Sequence, residues 1–282
     1  MSVYRGYDQE QLDALYDTRR MVPDWQTYTD RFEERSAGLR ARMPEALALA
    51  YGPHPRERLD LFLPAGVERP PLQAFFHGGY WRSGEKERYS YIAEGFLDAG
   101  AAVAVVEYAL VPGVDMDELV RQCRAAVSWL AAEAGRLGFD GERIHVSGHS
   151  AGGHIVAMLM ADGWDGAGIV KSGLGLSGLY ELEPIRLTYL NETLGLDPAA
   201  AARNSPALLT PAGAAPLLLA VGGDERAEFL RQQQAMEDAW LGEGVSITSS
   251  VLPGHNHYTI VELLGDADGE LAAAVRRQMG LG

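Results

Sequence analysis

Gly148-His149-Ser150-Ala151-Gly152 sets one serine between two glycines in a G-x-S-x-G pattern. A serine hydroxyl is a poor nucleophile at neutral pH. It needs a base to take its proton, an acid to orient that base, and N–H donors for the oxyanion that forms on attack. The flanking residues suit the pattern. Residues 143–147 form a short β-prone run, and residues 154–160 are apolar and helix-prone. The serine is therefore expected on a sharp strand-to-helix turn, its Oγ exposed at the top of a sheet.

In sheet enzymes with such a turn the chain order is serine, carboxylate, histidine, so the partners are sought downstream. Leu217–Val221 reads as a strand, and Gly222-Gly223-Asp224-Glu225 follows its C-terminal end, where sites assemble in such sheets. Asp224 is the expected acid, because the glycine pair should swing the first carboxylate inward; Glu225 is the neighbouring alternative. For the base, His257 stands just before an incipient helix at 258–264 and is preferred to His255. The His255-x-His257 pair has no carboxylate or cysteine at ligand spacing, so no metal site is expected. Oxyanion donors are expected from the N–H of Ala151 and from Gly78 or Gly79 in His77-Gly78-Gly79-Tyr80-Trp81. Tyr80 is expected to touch ligand and Trp81 to pack beneath the loop. Tyr189 and Asn191 are candidate substrate contacts; the other reading of Asn191 is a turn or cap residue.

The elements that must position these residues alternate along the chain. Residues 8–43 are helical in period, with Pro23-Asp24 separating two segments and Asp24 as the expected N-cap of the second. Strands are expected at 47–51 and 57–63 around a Gly52-Pro53-His54-Pro55 turn, then at 72–76, 101–108, 144–147, 168–175, 217–221 and 245–252, the last near an edge. A helix is expected over 115–135. This alternation implies one α/β domain over 1–282, with a mostly parallel sheet covered by helices on both faces and an antiparallel hairpin at its start. Residues 1–44 form a helical arm that could fold over the sheet as a lid, and 178–211 interrupt the alternation as a pocket-shaping insertion.

Composition narrows the function classes. The 282 residues carry a formal net charge of −15, which disfavours nucleic acid and anionic membranes as partners. No segment approaches the roughly 18 apolar residues of a membrane span, and the N-terminus has no leader-like apolar core. The single cysteine, Cys123, excludes an internal disulfide and suits a cytoplasmic setting; its amphipathic helical context suggests a buried thiol. A homodimer is left open.

The motifs also resemble a known family. His77-Gly78-Gly79-Tyr80-Trp81 matches the HGGxW signature of kynurenine formamidases (arylformamidases), and residues 148–154 match their GHSAGGH form. Ser177–Pro184 resembles the family's SG-x-x-D-L-x-P segment, with Glu181 where Asp is common. Asn191, Asn204-Ser205-Pro206 and His257-Tyr258, the last in place of His-Phe, extend the resemblance over roughly residues 45–270. It implies an α/β-hydrolase fold, with Ser150 as nucleophile, Asp224 as acid, His257 as base, and Gly78, Gly79 and Ala151 as oxyanion donors. No cofactor would be required. The implied reaction is hydrolysis of N-formyl-L-kynurenine to kynurenine and formate, in tryptophan catabolism. A carboxylesterase acting on short-chain esters is the alternative, and a non-catalytic binding protein on the same fold a remote one.

Overall fold

The computed structural model describes residues 2–44 and 47–281. Its centre is an eight-stranded sheet: β1 (Leu49–Ala50), β2 (Arg58–Phe62), β3 (Leu72–Phe76), β4 (Ala102–Val106), β5 (Ile144–His149), β6 (Val170–Leu176), β7 (Leu217–Gly222) and β8 (Ile247–Leu252). Their spatial order is β1-β2-β4-β3-β5-β6-β7-β8. The β1–β2 and β2–β4 pairings are antiparallel, and every later pairing is parallel. The expected antiparallel start and edge position of the last strand are both present.

Parallel strands covered on both faces read as near-continuous apolar runs. β3 (LQAFF) and β4 (AVAVV) are buried along their whole length. Side chains alternate across the sheet, so Ala74, Phe76, Ala104 and Val106 face one core while Phe75, Val103 and Val105 face the other. On the first face lie α4 (Met116–Leu137), α5 (Ala151–Met160) and α9 (Ala227–Trp240). On the second lie α3 (Trp25–Arg42), the 3₁₀ segment Lys86–Gly95 and α11 (Glu270–Gln278).

Helix ends follow their sequence signals. The Asp115 side chain accepts from Glu118 N at 2.8 Å and starts α4; Gly138, at φ 88°, ends it. Asp24 does sit at the N-cap of α3, but its side chain makes no capping bond, because its backbone (φ −93°, ψ 20°) is not extended as a capping residue's is. Cys123 is fully buried, and so are Trp81 and Trp240. The arm comprises α1 (Gln9–Tyr16), α2 (Thr18–Met21) and α3; the insertion comprises α6 (Glu183–Arg186), α7 (Asn191–Leu194) and α8 (Pro198–Arg203). No described helix is long and apolar enough to cross a membrane.

Candidate active site

β5 ends in a turn with no spare volume. A Cβ on Gly148 would fall 2.1 Å from Gly152 O, and one on Gly152 would fall 1.9 Å from Phe76 O. Both glycines of the motif are thus demanded by contact between backbones. Ser150, between them, takes φ 58° and ψ −118°, a conformation that costs a non-glycine residue on the order of 1–3 kcal/mol. Its N–H donates to Leu176 O at 2.8 Å, which holds the turn against β6. α5 then begins at Ala151, whose N–H belongs to the first turn and is left without an intrahelical acceptor.

The loop after β3 is equally constrained. Gly79, Tyr80 and Trp81 have φ values of 120°, 49° and 57°. Two of these are bulky aromatics in the left-handed region, so the surroundings must impose the shape. The His77 ring is held between Glu107 Oε1 (3.0 Å) and Gly78 O (2.8 Å). Tyr80 OH donates to Tyr16 O at 2.6 Å, and Trp81 Nε1 donates to His154 Nδ1 at 3.1 Å. Ser83 and Arg82 N–H groups both close on Gly79 O at 3.1 Å. A Cβ on Gly78 would lie 3.0 Å from Ser150 Cβ, so this backbone passes directly beside the serine.

Burial opposes ionisation of Glu107, but hydrogen bonds and charge from His77, with Arg56 and the Lys86 N–H, outweigh it and hold the carboxyl below its usual range. Its role is thereby structural: it braces the His77 loop from beneath. Trp81 forces Nδ1 of His154 to be the acceptor, so His154 Nε2–H donates to Asn204 O at 2.8 Å. Burial lowers this histidine's pKa to about 4 and keeps it neutral. His149 Nε2–H likewise donates to His257 O at 2.8 Å, and burial with the nearby His257 pushes its pKa well down.

The carboxylate beside His257 is Glu225 and not Asp224. Glu225 Oε2 accepts from His257 Nδ1 at 2.7 Å, while Oε1 accepts from Gly222 N at 3.0 Å and from Ser177 Oγ. Glu225 N–H also donates to Gly222 O at 3.2 Å, closing a tight turn after β7. That turn exposes Asp224 at its apex and returns the fourth residue, with its extra methylene, to the sheet end. Ser177, at φ 48°, is the other half of this clamp, a residue that motif matching quoted without a task. The glycine pair therefore directs the second carboxylate inward, not the first.

His257 is buried (4% exposed) at the wall of a cavity of about 670 Å³ that also contains Ser150, Gly78, Gly79 and His149. His255 lies outside that wall; its carbonyl accepts from Asp224 N at 3.1 Å. Asn256, between the two histidines, holds the loop by accepting from Tyr258 N (2.9 Å) and Thr259 N (3.0 Å) at the start of α10 (Thr259–Glu262). Among the described residues, Ser150 Oγ and His257 Nε2 make no hydrogen bond, and both residues line the same cavity.

The arm and the insertion add Asp17, Arg19, Trp25 and Phe32 from the one and Tyr189 and Thr193 from the other, and Arg82, Arg88, Tyr89 and Pro112 come from the segments between β3 and α4. Tyr80 and Tyr189 both line the cavity. Asn191 does not. Its Oδ1 accepts from Leu196 N at 2.8 Å and its Nδ2 donates to Leu196 O at 3.0 Å, which makes it the brace of the loop after α7. Tyr258 stacks against Tyr28 (6.2 Å, 18°) and Trp25 (6.4 Å, 29°), tying the arm to the histidine loop. No group of three or more potential metal ligands occurs among the described residues. A serine, an acid-oriented imidazole and crowding backbone N–H groups on one cavity suit acyl transfer.

Comparison with known proteins agrees with this chemistry. The BD-FAE family model matches residues 59–165. A kynurenine formamidase of Salmo salar is 31% identical over 99% of both chains. A crystal structure of a candidate thioesterase from Silicibacter sp. superposes with a TM-score of 0.82 at 31% identity, covering 93% of this chain and 98% of that one. An esterase of Pyrobaculum calidifontis shares the fold at 21% identity, with a TM-score of 0.68 over 98% of this chain and 99% of its own.

Proposed function

The chain belongs to the kynurenine formamidase family and is an α/β-hydrolase, and on that premise we propose that it deformylates N-formyl-L-kynurenine through an acyl-enzyme on Ser150. In this reading Ser150 Oγ attacks the formyl carbon as His257 Nε2 takes its proton. Glu225 holds the imidazole with Nδ1 protonated and stabilises the cation that forms. The oxyanion is received by the Ala151 N–H, at the positive end of α5, and by the Gly78–Gly79 backbone, each such donor typically contributing about 3–4 kcal/mol. His257 returns the proton to the departing aromatic amine. Water, activated by the same histidine, then attacks the formyl ester, releasing formate and restoring Ser150.

The observation that carries the reading is the Glu225–His257 hydrogen bond on the cavity that holds Ser150 and the crowded glycine loop. No cofactor enters any step. The esterase relatives support a second reading of the same site, cleavage of short-chain esters. We also place the protein in the cytoplasm and in tryptophan breakdown, acting on a small molecule without nucleic acid or membrane, and the arm as a lid. The test is kcat/KM on N-formyl-L-kynurenine beside short and medium p-nitrophenyl esters, with Ser150→Ala as control. A formamide value far above the esters is expected; good ester turnover with negligible formamide cleavage would overturn the first reading in favour of the second.

A further inference from the structure

The chain carries 39 acidic side chains against 24 basic ones, yet the charged residues on the cavity wall, histidines aside, are three arginines and one aspartate. That inversion sits on the cavity that holds Ser150. Arg88 is already engaged, with Nε donating to Glu33 at 2.9 Å. Asp17 is engaged too, its carboxylate accepting from Arg20 N at 3.0 Å as the cap of α2. Arg19 and Arg82 are different. Arg19 lies over the Trp25 ring at 4.6 Å. Arg82 lies over the Tyr189 ring at 5.7 Å and donates to Thr193 Oγ1 at 3.2 Å. Among the described residues neither guanidinium has a carboxylate within 4.0 Å.

A guanidinium seated on an aromatic face keeps its N–H edge free, and that edge matches a carboxylate in two parallel hydrogen bonds. Arg82 is half-buried, so solvent screens its charge less than that of the exposed Arg19. Around the two arginines the wall is aromatic, with Trp25, Tyr80, Tyr189 and Tyr258. We propose that Arg82, assisted by Arg19, forms an anion subsite that selects aromatic acyl compounds carrying a carboxylate away from the scissile bond. This deepens the hydrolase reading and rests on it only for where the acyl group sits; it holds equally for an amide or an ester.

Two measurements test it. The first needs no turnover: calorimetric binding of 3-hydroxybenzoate and its neutral counterpart 3-hydroxybenzamide to the full chain, wild type, Arg82→Gln, Arg82→Lys and Arg19→Gln. The second is the ratio of kcat/KM for 3-carboxyphenyl acetate over 3-carbamoylphenyl acetate in the same proteins. The benzoate should bind about tenfold tighter than the benzamide in the wild type. Arg82→Gln should erase most of that preference, Arg82→Lys should keep part of it, and Arg19→Gln should reduce it about threefold, with the ester ratio moving in parallel. Equal binding of acid and amide by the wild type would overturn the subsite, as would a preference that survives Arg82→Gln and Arg19→Gln combined. Failure of the hydrolase reading looks different: neither ester is cleaved while the binding preference persists.

Discussion

At the sheet end of the cavity, Gly148 and Gly152 leave no room for one added carbon, and Gly78 hardly any, whereas the opposite wall is built largely from exposed or partly exposed side chains, Arg19, Trp25, Tyr189 and Thr193 among them. The floor holds Ser150, Tyr80 and Trp81 at positive φ and fixes them with hydrogen bonds to Leu176 O, Tyr16 O and His154 Nδ1. Arg19 on the roof is exposed, and Arg82 and Tyr189 are partly so. Strain of this kind persists only where the surroundings over-determine it. The floor is thus suited to fixing reaction geometry, and the roof to varying what enters. Relatives on one fold can then share chemistry while their substrates differ.

The largest effect expected from breaking this contrast is at the nucleophile. Ser150→Ala should lower kcat by about four orders of magnitude or more while leaving the fold intact, read by single-turnover kinetics and circular dichroism. Residual turnover within a factor of ten would move the chemistry away from the floor. Next comes Trp81, fully buried beneath the loop. Trp81→Ala should cost about 3–5 kcal/mol in urea unfolding and impair turnover together with stability. A stable but inactive variant would instead make Trp81 a direct participant.

Acid should loosen the floor through His154. Its folded pKa of about 4 lies below the ordinary 6.5, so the unfolded chain binds the proton more readily. Stability is therefore lost as pH falls from about 6.5 to about 4 and levels off below, by about 3 kcal/mol from this residue. His145, also lowered to about 4, adds to the same window. Urea midpoints across that range should slope less in His154→Gln; an unchanged slope would remove His154 from the account. The smallest effect belongs to the roof. Trp25→Ala should raise KM a few-fold with kcat within about twofold, as expected for a group that only binds. A collapse in kcat alone would mean that the arm takes part in chemistry.

The sheet was largely legible in the chain because the strands are bounded by turn residues and several, such as β4 (AVAVV), are wholly apolar. The serine turn and the glycine loop were legible because backbone crowding admits only small residues there. The carboxylate beside His257 is Glu225, the neighbouring alternative, in place of the expected Asp224. Asp224 and Glu225 are neighbours, and only the closure of the Gly222–Glu225 turn decides which of them faces His257. Asn191 carries no signal that separates a loop brace from a ligand contact, since its bonds to Leu196 form only after α7 is in place. The 3₁₀ segment Lys86–Gly95 also escaped, because it is shaped by packing on α3 and not by its own period.

In the proposed mechanism Glu225 orients His257 for attack by Ser150. The most direct test of that role is kcat/KM on N-formyl-L-kynurenine, and on an acetate ester in parallel, for Glu225→Gln and Asp224→Asn. Loss of about three to four orders of magnitude in Glu225→Gln, with Asp224→Asn within about twofold of the wild type, is the expected result. The reverse pattern, with Asp224→Asn the crippled variant, would contradict it.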